Sequence, residues 1–311
     1  MFFKYKNILY PPISRAAYSD RMAWLMAEMS RISYIEFEPP KNKLKELKDT
    51  LNLAGFDLVE TFNSEVGTQV FLAERKADNI AVLAFRGTQI DKCCDIKTDI
   101  EFKFYRDKYG VRIHCGFEKA FASVEKGVVR EVDKLEQGKT ALYITGHSLG
   151  GALALMAAYK LSSDSVAACY TFGSPRVGNS EFKSKIKVPI YRVVNANDIV
   201  PRLPFLILTL KKSYIHQGDM RYLTPDINKI DLIANPNFFE SRYRFYCFLN
   251  IGLGIRNHSC DEYRRKLAKY ALKRFRSKYA GKKRKLLNLY SIKLAFRKLK
   301  AKRRQLFGGA R

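Results

Sequence analysis

The hydrophobic positions along this chain follow two different spacings. Short apolar runs predict buried strands, and these runs are centred near Val70, Val82, Leu142, Ala168 and Val193. Between the later runs, apolar residues recur at helical spacing, which predicts helices over residues 117–137, 149–161 and 179–186. Strands and helices that alternate in this way indicate βαβ units. The pattern therefore predicts an α/β fold with a mainly parallel central sheet flanked by helices.

The first part of the chain predicts helices rather than strands. Between Tyr18 and Ile35, the apolar residues at helical spacing are Met22, Leu25, Met26, Met29 and Ile32. Residues 44–53 predict a second, short helix. We expect both helices to pack on the sheet as a front flap, although a methionine-rich face also suits contact with lipid or acyl chains.

The most informative local pattern is residues 141–154, where an apolar run, a glycine turn containing Ser148 and a small-residue helix follow one another. This order is typical of the nucleophile elbow of serine hydrolases, in which the serine occupies a strained strand-to-helix turn. Gly146 and Gly150 fit it because a residue without a Cβ lets neighbouring backbone approach closely. The first amides of the following helix, beginning at Leu149, would face a substrate oxyanion. The alternative is a glycine-rich turn in an ordinary α/β core.

A nucleophilic serine needs a base, and the chain contains four histidines. His147 is adjacent to Ser148 in the turn, so its side chain should diverge. His114 precedes the serine, whereas hydrolases with this elbow place the acid and the histidine after it. His216 lies in an alternating stretch that predicts a strand, which favours a partly buried structural role. His258 remains as the candidate base.

His258 and an aspartate are the expected partners of the serine. His258 stands in a loop before a predicted helix, and such loops commonly carry functional side chains. Asp198 closes the β-branched run 190–198, just before Pro201, where an open α/β sheet presents its functional loops. Two alternatives are that Asp198 only caps a strand end through an Asx turn, or that Asp219 provides the acid.

Several longer segments extend this pattern. They are Ala-Phe-Arg-Gly-Thr at 84–88, His-Cys-Gly-Phe at 114–117, Gly-His-Ser-Leu-Gly-Gly-Ala at 146–152, Thr-Phe-Gly-Ser-Pro-Arg-Val-Gly-Asn at 171–179 and Arg-Val-Val-Asn-Ala-Asn-Asp-Ile-Val-Pro-Arg-Leu-Pro at 192–204. In these motifs the chain resembles the fungal-type triacylglycerol lipases, also called class 3 lipases, over roughly residues 60–265. The resemblance implies an α/β-hydrolase sheet with Ser148, Asp198 and His258 as a catalytic triad.

The resemblance also implies an oxyanion hole and a lid. Thr88 would donate its backbone amide to the oxyanion, often together with its hydroxyl, and the amide of Leu149 would be the second donor. A short lid would follow at residues 89–98, where Ile90 and Ile96 are apolar candidates for substrate contact.

Two further apolar residues, Phe205 and Leu206, follow the candidate acid closely. They would line an acyl pocket or dip into a lipid interface, and the alternative is a buried strand. The expected chemistry is acyl transfer through an acyl-enzyme, which requires no metal ion and no organic cofactor. The six cysteines show no metal-ligand spacing and are expected to be reduced.

Charge divides the chain into two parts. The sequence carries 57 Lys and Arg against 30 Asp and Glu, a net charge of +27. After Glu262 no acidic residue follows, whereas about 20 basic residues do. We therefore expect a catalytic domain over residues 1–262, including the front flap, and a basic, helical C-terminal tail over 263–311. Three roles fit the tail: a solubility appendage, a nucleic-acid arm or an anchor on an anionic membrane.

These observations predict a serine hydrolase that cleaves carboxylic ester bonds of lipids at an anionic membrane surface. The basic tail favours phospholipid or lysophospholipid over neutral fat, because each basic residue near an anionic leaflet contributes about 1 kcal/mol. The alternative is a non-catalytic protein that binds membrane or nucleic acid on a lipase-like scaffold. No nucleic-acid-binding motif accompanies the basic run, so a lipid ester is the expected partner, and the oligomeric state stays open.

The apolar runs also bear on location. None approaches the roughly 20 residues that span a bilayer. An N-terminal export signal is not expected either, because the run after Lys6 is broken by Pro11 and Pro12. The expected location is the cytoplasm or a membrane surface, with non-classical export left open.

Overall fold

The computed structural model describes residues 2–4, 17–37, 43–87, 104–137, 140–161, 166–204, 214–226, 230–236 and 251–277. The chain divides into two compact units, Met1–Tyr270 and Ala271–Arg311. In the second unit, residues 271–277 are described and are helical. The charge pattern places the boundary at Glu262, but residues 263–270 are part of the first unit. The physical reason is that Tyr263 and Lys266 are buried.

The strands of the first unit build one large sheet and one small hairpin. Those described are β1 (Asp57–Asn63), β2 (Gln69–Arg75), β3 (Ile80–Phe85), β4 (Phe104–Arg106), β5 (Arg112–His114), β6 (Ala141–His147), β7 (Val166–Phe172), β8 (Ile190–Asn195), β9 (Asp219–Leu223) and β10 (Leu232–Ala234). The large sheet has the order β1-β2-β3-β6-β7-β8-β9-β10, and β4 pairs with β5. From β3 to β9 the neighbours are parallel, whereas the outer pairs are antiparallel. The predicted mainly parallel sheet is confirmed.

Five of the described helices begin and end within a few residues of the predicted bounds, and the helix at Ile251–Asn257 is one that the sequence pattern does not predict. The described helices are α1 (Asp20–Ile32), α2 (Leu44–Asn52), α3 (Cys115–Gln137), α4 (Leu149–Lys160), α5 (Ser180–Lys185) and α6 (Ile251–Asn257), with single 3-10 turns at Lys76–Asp78 and Val200–Arg202. Residues 260–270 are also helical. In the described part of the chain, no helix is long and apolar enough to cross a bilayer.

The core lies on both faces of the parallel strands. Every residue of β3 and of β8 is buried. Burial on both faces explains why β3 is a continuous apolar run, whereas β8 also buries the polar residues Arg192 and Asn195. Ile144 of β6 packs with α3 and α4 on one face. Its neighbour Thr145 bonds to Ser30 of α1 on the opposite face, at 2.9 Å.

The methionines of α1 belong to this core. Met22, Met26 and Met29 are at most 2% exposed, and α1 lies against β6 and β3. Packing of the front flap on the sheet is therefore confirmed for α1, and contact of this methionine face with lipid is excluded by its burial.

Candidate active site

Ser148 occupies a strained turn between β6 and α4. Its φ of 57° and ψ of −127° lie in a region that residues with a side chain rarely adopt. A Cβ on Gly146 would lie 2.1 Å from the carbonyl oxygen of Gly150, and a Cβ on Gly150 would lie 2.3 Å from that of Phe85. Real Cβ atoms essentially never lie this close to a non-bonded heavy atom. The two glycines are therefore needed for α4 to pack against the end of β3 at this turn.

The side chains of Ser148, His258 and Asp198 are contiguous. His258 Nε2 lies 2.7 Å from Ser148 Oγ, and His258 Nδ1 lies 3.0 and 2.9 Å from the two carboxylate oxygens of Asp198. All three residues are buried. Because an ionised carboxylate only accepts, Nδ1 carries the proton and Nε2 accepts from the serine hydroxyl. This orientation suits proton transfer from the serine to the histidine.

The loop after β8 and the helix over 260–270 hold Asp198 in place. The amide of Val200 donates to Asp198 Oδ1 at 2.9 Å, and the hydroxyl of Tyr263 donates to Oδ2 at 2.5 Å. Tyr263 Oη in turn accepts from the amide of Asn195 at 2.9 Å. Burial, and then the nearby carboxylate of Asp198, raises the pKa of Tyr263 well above its usual value, so the phenol keeps its proton as a donor.

The sequence pattern does not single out Tyr263 as a site residue. Its helical spacing with Leu267 and Tyr270 predicts only a helix that docks on the domain. The hydrogen bond to Asp198 depends on which face of that helix meets the loop after β8, and no local pattern encodes this.

The other histidines lie elsewhere in the site or outside it. The ring nitrogens of His147 contact the hydroxyl of Tyr34 and the backbone carbonyl of His258. His114 is buried, and its ring centroid lies 4.4 Å from that of Phe117, with the two rings tilted by 30°. Burial lowers the pKa of His114 to about 4. His216 is half-buried, as predicted, but it lies before β9 and not in a strand.

The rival acid does not reach the site. Asp219 is exposed at the start of β9, and its carboxylate lies 3.8 Å from the guanidinium of Arg221. Within the described ranges, no group of three or more His, Cys, Asp or Glu side chains is placed to hold a metal ion.

Several other candidates fall outside the described residues, namely Thr88, the proposed lid at 89–98 with Ile90 and Ile96, and the pair Phe205 and Leu206. Gly87 is the last described residue before Thr88. A Cβ on Gly87 would lie 3.3 Å from Ser148 Cβ and 2.3 Å from the carbonyl oxygen of His147. The chain that leads to Thr88 therefore runs directly against the serine.

A cavity of about 350 Å³ opens beside this point and is a candidate substrate pocket. It is lined by Gly87 and Leu149 next to the serine, and by the polar side chains of Glu36, Gln69 and Arg86. The Arg86 guanidinium lies 3.6 Å from the Glu36 carboxylate and bonds to the amide oxygen of Gln69. Leu149 begins α4, so its amide belongs to the helical turn whose N–H groups have no intrahelical acceptor.

Comparisons with known proteins show which proteins the chain is similar to. The lipase from Rhizopus microsporus var. chinensis aligns with a TM-score of 0.59 at 27% identity, over 72% of this chain and 83% of that one. The fold is that of the α/β hydrolases. The family model described as Lipase (class 3) matches residues 82–208, and over this segment the chain is similar to the class 3 lipases.

Two relatives show how the family varies. Triacylglycerol lipase OBL1 from Arabidopsis thaliana is 28% identical in an alignment that covers 69% of this chain and 52% of that protein. The chloroplastic phospholipase A1-Igamma1 from the same plant is 38% identical over 114 residues, which cover 30% of this chain and 22% of that protein. The chain thus spans about half the length of the first relative and about a fifth of the second.

Proposed function

We propose that this protein is a serine hydrolase that cleaves carboxylic ester bonds of lipids, with Ser148 as nucleophile, His258 as general base and Asp198 as the residue that orients the base. One observation carries the proposal. The hydroxyl of Ser148 sits on a strained elbow, 2.7 Å from an imidazole nitrogen whose partner nitrogen donates to a buried carboxylate. Such an arrangement activates a serine without any other group.

The reaction proceeds in two acyl transfers. Ser148 Oγ attacks the ester carbonyl carbon as its proton passes to His258 Nε2, and the carbonyl oxygen becomes an oxyanion. The amides of Leu149 and Thr88 stabilise this oxyanion, and one such donor contributes about 3 kcal/mol. Collapse of the intermediate breaks the bond to the alcohol, which leaves with the proton from His258. Water then attacks the acyl-enzyme by the same route and releases the free acid.

A lipid ester is the substrate class that the similarity to lipases supports, since relatives are named as triacylglycerol lipase and as phospholipase A1. The basic tail favours an anionic lipid surface, and hence phospholipid or lysophospholipid over neutral fat. Phe205 and Leu206 are proposed to line the acyl pocket or to enter the interface, and the 89–98 segment is proposed as the lid.

Hydrolysis of a lipid panel by wild type and Ser148→Ala tests this proposal. Wild type should release fatty acid from phospholipid vesicles faster than from emulsified triacylglycerol, and a fluorophosphonate probe should label it. Ser148→Ala should lose at least about a thousandfold in rate and all labelling. Ester hydrolysis by Ser148→Ala at the wild-type rate would contradict the proposed nucleophile.

The alternative, a non-catalytic binder on a lipase-like scaffold, makes the opposite prediction. It predicts no labelling and no fatty-acid release in the presence of lipid, together with binding of vesicles or nucleic acid through the basic residues. Binding without hydrolysis would favour it.

A further inference from the structure

We infer that His147 and Asn195 are positioning residues that hold the main chain of the base, His258, from two sides. This inference rests on the proposed function. His147 Nε2 lies 2.6 Å from the carbonyl oxygen of His258, and Asn195 Nδ2 lies 2.9 Å from the carbonyl oxygen of Asn257. The last carbonyl of α6 and the carbonyl of the base that follows it are thus each held by a side chain from a strand of the sheet.

The donor and the acceptor in each hydrogen bond of His147 follow from the chemistry of its two partners. A carbonyl oxygen only accepts, so Nε2 of His147 must carry a hydrogen. His147 is 1% exposed, and burial together with the adjacent His258 lowers the pKa of His147 well below its usual value. A neutral imidazole with its hydrogen on Nε2 accepts at Nδ1, where the Tyr34 hydroxyl donates at 2.8 Å. Tyr34 therefore fixes the tautomer that lets His147 hold the base.

Lys266 fixes the orientation on the second side. Its ammonium lies 2.8 Å from Asn195 Oδ1 and 2.8 Å from the carbonyl oxygen of Thr224. An ammonium has donors and no acceptor, so the amide oxygen of Asn195 must face Lys266. The amide NH₂ then faces Asn257. Burial lowers the pKa of Lys266 to about 8, so the ammonium form still dominates at neutral pH.

The two strands involved are those that carry the partners of the base. His147 immediately precedes Ser148 at the end of β6, and Asn195 ends β8 three residues before Asp198. Each strand therefore holds the base loop next to the side chain that the base must meet. Because a displacement of about 1 Å at a reacting centre costs on the order of a hundredfold in rate, these bonds control catalysis without contact with substrate.

His147 also has to stay neutral to do this. Its ring lies 4.6 Å from that of His258, centroid to centroid, and His258 becomes an imidazolium in each acyl transfer. A second positive charge at that distance would oppose this step. The low pKa that burial gives to His147 keeps the neighbouring ring uncharged.

Variants at His147 separate positioning from a merely structural role. His147→Phe keeps the ring volume and removes the donor, whereas His147→Gln keeps an amide donor at a similar reach. With a soluble short-chain ester, His147→Phe should lower kcat about 10- to 100-fold with KM within about twofold. His147→Gln should recover most of kcat. Asn195→Leu should behave like His147→Phe, because it removes the second donor.

The pH profile gives a readout that loss of stability would not move. Without the hydrogen bond from residue 147, His258 is held less well against Asp198. The acid limb of the kcat/KM profile should therefore move to lower pH in His147→Phe but not in His147→Gln. His114→Phe is the matched control, because it replaces another buried histidine outside the site and should change the unfolding midpoint but not the limb. A wild-type kcat and an unmoved limb in His147→Phe would overturn the inference.

Nitrogen NMR of the histidine rings tests the inference independently of turnover. Wild-type protein should show His147 as the neutral Nε2–H tautomer between pH 6 and 8. A cationic His147 ring, or a neutral one with its hydrogen on Nδ1, would overturn the inference even in a protein that shows no hydrolysis. Absence of ester hydrolysis and of probe labelling, with the Nε2–H tautomer present, would instead refute the proposed function and leave the hydrogen bond established.

Discussion

At the scale of single residues, the site depends on side chains that the surrounding structure holds in unfavourable states. Ser148 keeps a positive φ, a backbone strain of about 1–3 kcal/mol, because β6 and α4 fix the chain on either side. The hydroxyl of Tyr263 is fully buried and yet useful, since it bonds both Asp198 and the amide of Asn195. The loss of one such group should therefore affect activity and stability in separable ways.

Tyr263→Phe tests this separation. Without the phenol, Asp198 loses a donor and holds the charged form of His258 less firmly in place, so kcat should fall about tenfold with KM unchanged. The amide of Asn195 loses its acceptor, which should lower the free energy of unfolding by about 1–2 kcal/mol. Steady-state kinetics and urea unfolding measure the two effects.

Tyr214→Phe is the matched control for that variant. Tyr214 is equally buried, and its hydroxyl has no hydrogen-bond partner in the described part of the chain. Its removal should leave kcat unchanged and should not lower the free energy of unfolding. A tenfold fall in kcat in Tyr214→Phe, or an unchanged kcat in Tyr263→Phe, would contradict the role given to the Tyr263 hydroxyl.

His114 predicts a pH dependence of stability. Its folded-state pKa is lowered to about 4, so between about pH 6.5 and pH 4 the unfolded chain binds a proton at this site that the folded chain does not. The free energy of unfolding should therefore fall as the pH drops through this window.

Urea unfolding of wild type and His114→Gln at pH 7 and pH 4.5 measures this contribution. Between the two pH values, the free energy of unfolding should fall by about 2 kcal/mol more in wild type than in His114→Gln. Equal decreases in the two proteins would show that His114 is not buried in its neutral form.

At the scale of elements, the predictable parts of the fold are those with a strong local pattern. The β6–α4 unit is identified from its apolar run, its two glycines and its small-residue helix, because a fully buried strand and a close turn leave few alternatives. β1 is mostly half-exposed or exposed and has no comparable pattern. β4 and β5 have three residues each, too few for an alternation to be recognised.

The contacts that complete the site lie beyond local pattern. The adjacency of His147 to Ser148 in sequence predicts that its side chain turns away, which gives no indication of what it meets. Its partners Tyr34 and His258 lie 113 and 111 positions away in the chain. In the sequence, nothing distinguishes Lys266 from the other basic residues of the C-terminal region. Only the packing of its helix shows that it is buried against Asn195.

The elbow gives an element-level prediction. In Gly146→Ala the new methyl would overlap the backbone of Gly150, so β6 and α4 must separate, at a cost of about 3 kcal/mol or more. Gly110→Ala is the control, because its Cβ would meet nothing within 4 Å although its φ is +79°, and it should cost only about 1 kcal/mol.

Urea unfolding and the rate of fluorophosphonate labelling distinguish the two glycine variants. Gly146→Ala should lose both stability and labelling, whereas Gly110→Ala should be labelled at the wild-type rate. A Gly146→Ala protein as stable and as reactive as Gly110→Ala would show that the close approach at the elbow is not required.

At the scale of the whole molecule, the main feature is the concentration of basic residues in the C-terminal region. Every charged side chain after Glu262 is basic, and the proposed role of this region is attraction to an anionic membrane. Lys282, Lys283, Arg284 and Lys285 form its densest cluster. Replacement of all four by Gln should weaken binding to vesicles that contain phosphatidylserine by at least about tenfold, since each basic residue near the surface contributes about 1 kcal/mol.

A variant with the same loss of charge elsewhere controls for net charge. Lys45, Lys48, Lys119 and Lys126 are exposed on α2 and α3, and their replacement by Gln should leave vesicle binding near the wild-type value. Both variants should hydrolyse a soluble short-chain ester normally. Equal weakening in the two variants would show that total charge matters, and the tail would lose its assigned role.

The proposed mechanism requires a covalent intermediate on one oxygen atom, that of Ser148, which the fold brings next to His258 and Asp198 from distant segments of the chain. Rapid quenching of the wild-type protein with a short-chain ester, followed by mass spectrometry of its peptides, measures that intermediate directly. We expect an acyl adduct on Ser148 that forms and decays as fast as the ester is turned over. Turnover without an adduct on Ser148, or an adduct on another residue, would contradict the account.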